Sequence, residues 1–229
     1  MSSTDNEKVS SNSDYRVGSY RPETVNSAVF NRIDRKRLDE LSRVPGLSAE
    51  AADFLENLGY RLAIPGSVMP QVCSDRPAVG HAVTLRYLPR RREAHAYRSE
   101  HSPSRLAFRT AFETAEPGDV VVMDAAGLMN RSVLGGKAVK AAVDLGISGC
   151  VVDGAVRDLD EMEELSFPLW SRARTPLRGS FHVEAVEINT PIACAGIQVL
   201  PGDLVLADVS GVAFIPIEHV ERFLDGVLG

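Results

Sequence analysis

The sequence predicts an α/β fold, and three observations carry that prediction. Residues 117–127 (PGDVVVMDAAG) and 201–211 (PGDLVLADVSG) share one pattern: Pro-Gly-Asp, a short apolar run, Asp, two residues and Gly. Each copy describes a turn, a strand and a second turn. Between them, residues 119–152 run strand, helix, strand, the order of a β-α-β unit. The second of those strands, GCVV at 149–152, is apolar on both faces, as a strand covered on both sides must be.

In chain order, residues 1–30 read as irregular or extended. Their first stretch, MSSTDNEKVSSNSD, is polar and lacks the basic start and apolar run of a signal peptide, so an N-terminal extension, partly disordered, is expected before a domain at 31–229. Residues 34–41 are charged with Leu38 and Leu41 three apart, which predicts a short helix. SAEAADFLENLG at 48–59 predicts a clearer one. Ser48 stands where a cap belongs, Ala51, Ala52, Leu55 and Leu58 form a stripe, and Gly59 can end it. VGHAVTLRY at 79–87 is strand-like. Residues 86–109 hold seven arginines and two histidines against two acids. They read either as a solvated connector followed by a basic helix, or as a surface for an anionic substrate or an acidic neighbouring subunit. A strand at 119–123 then leads through Asp124-Ala-Ala-Gly127 to Gly135-Gly136. The helix expected over 137–145 sets Ala138, Ala141, Ala142 and Leu145 on one face, with Gly146 closing it. Residues 199–216 read as two strands in hairpin order, with a short helix at 219–224.

Bulk properties exclude several classes. A net charge of −6 argues against a general nucleic-acid or anionic-membrane binder, and 44% hydrophobic residues allow a sizeable core. No apolar stretch reaches the length of a membrane span. Cys73, Cys150 and Cys194 are too few and too scattered for a disulfide framework or a zinc site. Cys150 and Cys194 read as small core residues, whereas Cys73 stands where it could be exposed. A reducing, cytoplasmic compartment fits.

Two features can carry chemistry. Gly135-Gly136 opens a helix, where glycines let a ligand approach the backbone and free N–H groups favour an anion such as a carboxylate. The plain alternative is a Gly-rich loop. Arg157-Asp158 follows the next strand, and ligands of α/β sheets gather beyond the carboxyl ends of strands. Arg157 offers a planar fork for a carboxylate or an enolate oxygen, and Asp158 a hard oxygen ligand suited to Mg²⁺. Against this, Asp158 with Glu161 three residues on has the form of a helix N-cap with a capping box. The five histidines form no metal pair, and no GxSxG, GxGxxG or phosphate loop is present.

Taken together, GGKAVKAAVDLGISGCVVDGAVRD, preceded by PGDVVVMD and followed by PGDLVLAD, resembles the family of 4-hydroxy-4-methyl-2-oxoglutarate/4-carboxy-4-hydroxy-2-oxoadipate aldolases and regulators of ribonuclease E activity. The resemblance spans roughly residues 47–216 and does not separate aldolase from regulator. It implies a β/β/α swivelling-type fold, trimers or paired trimers, and a divalent metal, Mg²⁺ or Mn²⁺, at subunit boundaries. Asp158 would hold the metal, Arg157 the pyruvyl part of a small 2-keto acid, and the backbone of Gly135-Gly136-Lys137-Ala138 its carboxylate. Asp53 would approach the site from a neighbouring subunit through water. The family often reads GELL where this chain has GGKA, so Lys137 would add a positive charge near the ligand. The expected reaction is cleavage of a 4-hydroxy-2-keto acid to pyruvate and a carbonyl product, with oxaloacetate decarboxylation through the same enolate. The C4 hydroxyl proton would go to a water held by the metal or by a carboxylate. The competing expectation is a non-catalytic regulator that masks a protein partner. A third is another enzyme on the same scaffold, its substrate shaped by residues 86–109.

Overall fold

The computed structural model describes residues 20–229; the expected disorder of residues 1–19 lies outside the described residues. In order, the elements are β1 (Thr24–Val25), α1 (Arg35–Leu41), α2 (Leu47–Asn57), β2 (Ala63–Pro65), β3 (Gln71–Cys73), β4 (Ala78–Pro89), α3 (Ala94–Ser99), α4 (Phe108–Thr114), β5 (Val120–Leu134), α5 (Gly136–Asp144), β6 (Gly149–Val156), α6 (Leu159–Glu164), β7 (Leu169–Arg174), β8 (Val183–Ile188), β9 (Ile192–Cys194), β10 (Ile197–Val199), β11 (Leu204–Asp208), β12 (Gly211–Ile215) and α7 (Val220–Leu228).

Strand β4 organises the molecule. Its first half pairs antiparallel with β11, at Val79↔Leu206 for example, and its second half pairs parallel with β5, at Val83↔Val121. The sheet runs β2-β12-β11-β4-β5-β6-β7-β3, with β8 also joined to β4. Side chains alternate along these strands and so sort into layers. Val121, Met123, Cys150 and Val152 pack with Phe112 and Met162 on the side of α4, α5 and α6. Val120, Val122 and Val151 point the other way, against Val205, Ala207, Val212 and Phe214. The opposite faces of β11 and β12, with Leu204, Leu206, Ala213 and Ile215, meet Leu41, Leu55 and Phe223 of α1, α2 and α7. Two sheet portions thus lie face to face between two helical layers, and β4 crosses from one portion to the other. Buried Trp170 links the two portions by donating its indole N–H to the Asp208 carbonyl at 2.9 Å.

The repeated Pro-Gly-Asp pattern has a physical meaning. Asp119 accepts the N–H of Glu116 at 2.9 Å, and Asp203 accepts that of Leu200 at 2.8 Å, the same side-chain-to-backbone turn in both copies. The strands that follow, β5 and β11, flank β4 on its two sides. The environments differ. Asp119 is held by Arg32 at 2.6 and 3.0 Å, whereas burial pushes the Asp203 carboxyl from 3.8 up to about 6, the Leu200 N–H opposing the shift. The folded state therefore holds this proton more tightly than the unfolded chain. Asp203 adds stability below pH about 4, and that contribution is lost as pH rises through about 6. Urea unfolding should show wild type losing about 1–3 kcal/mol relative to Asp203→Asn between pH about 4 and 7.

Several expectations need correction. Helix α2 starts from Gly46 in the left-handed region at φ 67°, and Ser48 does not cap it. The Ser48 N–H and hydroxyl instead donate to Asp208 at 3.0 and 2.6 Å, tying the helix to β11. The strand expected to end near residue 123 continues to Leu134, with register shifts between Asp124 and Leu128 and between Leu128 and Ser132. Cys73 is buried at 4% exposure, and its thiol is pushed up to about 12 by burial and by Glu163. Cys150 and Cys194 are core residues, as expected. Within residues 86–109 most arginines are spent internally. Arg92 forks onto Glu100 at 3.0 and 2.6 Å, Arg105 meets Glu184 at 2.8 Å, Arg109 meets Glu113 at 2.9 Å, and Arg90 is buried over the Tyr97 ring at 3.6 Å. No helix among the described residues is long and apolar enough to cross a membrane.

Candidate functional site

Strands β5 and β6 are adjacent and parallel, and their last register pair is Leu134↔Val156. Gly135 and Arg157, the next residues on each, therefore emerge side by side at one sheet edge. The Arg157 N–H still donates to the Leu134 carbonyl at 3.2 Å. From there the chain enters α5 on one side and α6 on the other. The long β5, which the sequence did not suggest, is what delivers the paired glycines to the Arg-Asp pair.

The local conformation answers the capping question. Asp158 precedes α6 in the left-handed region at φ 59°, and its side chain makes no cap hydrogen bond to that helix. Its Oδ2 instead accepts the Gly136 N–H at 3.4 Å and lies 3.3 Å from the Arg157 Nε. The carboxylate turns toward the start of the neighbouring helix. The glycines make that approach possible. A Cβ on Gly135 would stand 2.7 Å from the Asp158 Oδ2 and 3.3 Å from the Arg157 Cγ, and one on Gly136 would collide with Glu161.

A cavity of about 420 Å³ opens here, lined by Gly135, Lys137, Ala138, Arg157, Asp158 and Glu161 together with Leu106, Phe108, Ser132, Arg178 and Ser180. Its size suits a small organic ligand. Three cationic side chains and two carboxylates share the rim, beside the N-terminal turn of α5 with its outward N–H groups. Anion and cation donors in one cavity suit a ligand that is itself an anion chelated to a cation. A second cavity, of about 370 Å³, lies beside α1 and the carboxyl ends of α5 and α6. Helix ends of that polarity repel anions.

The donor set fits a hydrated divalent cation. Among the described residues no group of three or more His, Cys, Asp or Glu converges, which sets the cavity apart from an all-protein zinc or calcium cage. One or two carboxylates on an open rim match the habit of Mg²⁺, which keeps several waters. Asp158 would hold such an ion from the protein side.

Gly135, Gly136, Lys137, Ala138, Arg157 and Asp158 are thus brought together. Asp53 is not. It is exposed on α2, in the opposite helical layer, and lines no part of this cavity. Sequence reasoning missed Arg178, Leu106 and Phe108, and considered Glu161 only as part of the capping alternative. Arg178 arrives through a bridge between Ser132 and Arg178, for which no local pattern exists. Leu106 and Phe108 belong to the arginine-rich segment and make its apolar contribution to the cavity wall. The other acids near the sheet are structural. Asp153 takes Arg172 at 2.9 Å and the Ala195 N–H at 2.7 Å, and Asp124 takes the Ala126 N–H at 2.8 Å.

An RraA-like family model described as Aldolase/RraA matches residues 48–214. A Thermus thermophilus protein named 4-hydroxy-4-methyl-2-oxoglutarate aldolase is 34% identical over 108 residues, 47% of this chain and 65% of that protein. A Halalkalibacterium halodurans protein, given the same name provisionally, is 41% identical over 123 residues, 54% of this chain and 58% of that protein. The matched stretches thus span less than two thirds of these relatives' own lengths. Among solved structures, Streptomyces coelicolor RraAS2, described as an unusual member of the RNase ES inhibitor RraA protein family, superposes with a TM-score of 0.72 at 30% identity. That superposition covers 87% of this chain and 94% of RraAS2.

Proposed function

The chain belongs to the RraA-like family of aldolases and RraA proteins, and from that premise we propose that its cavity is the site of a divalent-metal-dependent lyase. The reaction is cleavage of the C3–C4 bond of a 4-hydroxy-2-keto acid, giving pyruvate and a carbonyl product. Oxaloacetate loses CO₂ through the same pyruvate enolate. The observation that supports this reading above others is the convergence of Asp158, Arg157 and the α5 N-terminus on one cavity.

A bound Mg²⁺ or Mn²⁺ would supply Lewis-acid polarisation of the keto oxygen. The remaining work falls to the chain itself. Positions 135 and 136 carry no side chain of their own, so a substrate carboxylate can come close to the first-turn N–H groups of α5, of which that of Gly136 already faces the Asp158 Oδ2 at 3.4 Å. Arg157 spends its Nε on Asp158 and keeps its terminal nitrogens for the developing oxyanion. Leu106 and Phe108 cover one wall and exclude water from the reacting carbons. No side chain in the cavity is an obvious general base, so a carboxylate-held water takes the C4 hydroxyl proton.

Lys137 and Arg178 add two further positive charges to the rim, and among the described residues neither makes an ion pair. They favour a substrate with a second carboxylate. Arg178→Ala should raise KM roughly tenfold for a 4-hydroxy-2-keto diacid while leaving a monocarboxylic analogue within about twofold, as steady-state kinetics would read it. The reading as a whole is tested by pyruvate release from 4-hydroxy-2-keto diacids and oxaloacetate. Release should stop with chelator and return with Mg²⁺ or Mn²⁺, and failure of all these substrates with metal present rejects it. Assembly into a trimer or paired trimers belongs to the same proposal, because Asp53 can reach a cavity only from another copy, and so does a cytoplasmic location.

The likeness to RraAS2 favours a second reading, a regulator that binds a protein partner. Such a complex would persist in Asp158→Ala, whereas pyruvate release would not.

A further inference from the structure

His81 ties two segments together from inside the sheet. It lies buried on β4, opposite Leu204 of β11. Its Nε2 accepts the Ile33 N–H at 3.0 Å, and its Nδ1 lies 2.9 Å from the Gly202 carbonyl. A carbonyl can only accept and a backbone N–H can only donate. These two partners therefore admit one form of the ring, neutral with its proton on Nδ1. Ile33 lies at the end of residues 26–33, the stretch that joins β1 to α1. Two further anchors hold that stretch. Phe30 packs on the imidazole with 4.8 Å between ring centroids, and on Gly202, where a Cβ would come within 2.7 Å of the Phe30 ring. Arg32 forks onto Asp119 at 2.6 and 3.0 Å and reaches Glu116 at 3.0 Å. The anchors thus gather on His81 and the two Pro-Gly-Asp turns, at the opposite end of β5 from the cavity.

We propose that His81 is a proton-operated clasp: the neutral ring fastens residues 26–33 to the sheet, and a second proton on the ring releases them. A doubly protonated ring would point an N–H at the Ile33 N–H, donor against donor, and would leave that buried backbone group without an acceptor. The charges around the ring come from every side. Arg32 belongs to the clasped stretch, Glu116 and Asp119 to the turn before β5, and Asp203 to the turn before β11, with Glu218 beyond it. Arg35 of α1 lies over Gly118 of the turn before β5. Burial holds the imidazole below its usual 6.5, with the Gly202 carbonyl and Asp119 opposing the shift and Arg32 adding to it. The clasped state therefore binds the proton less tightly than an open state in which the ring meets water. Clasping is fully favoured above pH about 6.5 and weakens as pH falls from there toward the lowered folded value. Asp203 works in the opposite sense, because the folded chain holds its proton more tightly than the unfolded chain does.

Hydrogen exchange of the full chain, resolved at the Ile33 amide and corrected for the intrinsic effect of pH, tests this without any turnover. In wild type, protection of Ile33 should fall about tenfold per pH unit below pH about 6.5 until the folded value is passed, while amides of β5 and β6 keep theirs. His81→Gln offers the Ile33 N–H an amide oxygen that does not titrate, so its protection should not vary over the same range. Asp203→Asn should keep the wild-type loss. Nitrogen NMR of the wild-type ring decides the matter should His81→Gln not fold: at pH 7.5 the proton should sit on Nδ1. Protection of Ile33 that does not change between pH 8 and 5 in wild type overturns the proposal. So does an equal loss in His81→Gln, a loss abolished by Asp203→Asn, or a ring protonated on Nε2 at pH 7.5.

Discussion

Asp158→Asn should abolish pyruvate release, by on the order of 10³-fold or more, while the protein unfolds at nearly its wild-type temperature. The choice of asparagine matters. Asp158 sits in the left-handed region at φ 59°, where Asn is tolerated and Ala is strained by roughly 1 kcal/mol. An amide oxygen can still accept the Gly136 N–H, so the contact between α5 and α6 survives. What disappears is the negative charge that would hold a dication. Asp158→Ala should also lose turnover, but with a small stability loss from its backbone. The two variants together separate a structural aspartate from a metal-holding one. If Asp158→Asn turned over at even a tenth of the wild-type rate, the carboxylate would not be what holds the ion. Mn²⁺ titration of the same protein supplies the independent reading.

The legible and illegible parts of this molecule divide along physical lines. Helix α5 was legible because Ala138 and Ala142 repeat on one face, and the end at Gly146 follows from glycine chemistry. The hairpin of β11 and β12 and the duplicated Pro-Gly-Asp turns were legible for the same reason: local chemistry determines them. The continuation of β5 to Leu134 was not, since LMNRSVL carries no clean alternation and is held as strand by its neighbour β6. Ser48 shows a second kind of failure, and the capping alternative for Asp158 fails in the same way. Both have the residue type of an N-cap, and both give their side chains to another element, Asp208 on β11 and Gly136 on α5. Propensity alone cannot tell a cap from a tertiary contact, because the same short oxygen-bearing side chain serves either. The capping box that Glu161 would have completed, the alternative weighed against a functional Asp158, does not form. The Arg157-Asp158 pair was noticed because opposite charges at a strand end are costly to arrange without a use. Its partner Arg178 left no such mark, lying in a loop whose position is set by pairing with Ser132.

Arg157→Lys should lower kcat about 100-fold for both aldol cleavage and oxaloacetate decarboxylation, and by the same factor for each. Lysine preserves the charge, so any loss reports the fork. Arg157 has to address two partners at once, Asp158 through its Nε at 3.3 Å and the substrate oxygen through its terminal nitrogens. An ammonium on a flexible stem can face one of them, and Asp158 is the nearer. Ground-state attraction of an anionic substrate would persist in the lysine variant, so KM should change far less than kcat. A purely substrate-binding Arg157 would give the opposite split, a raised KM with kcat preserved. The two reactions are needed together because they differ in the proton that must leave and share the enolate that forms. A deficit confined to aldol cleavage would tie Arg157 to the C4 hydroxyl, and an equal deficit in both ties it to the oxyanion.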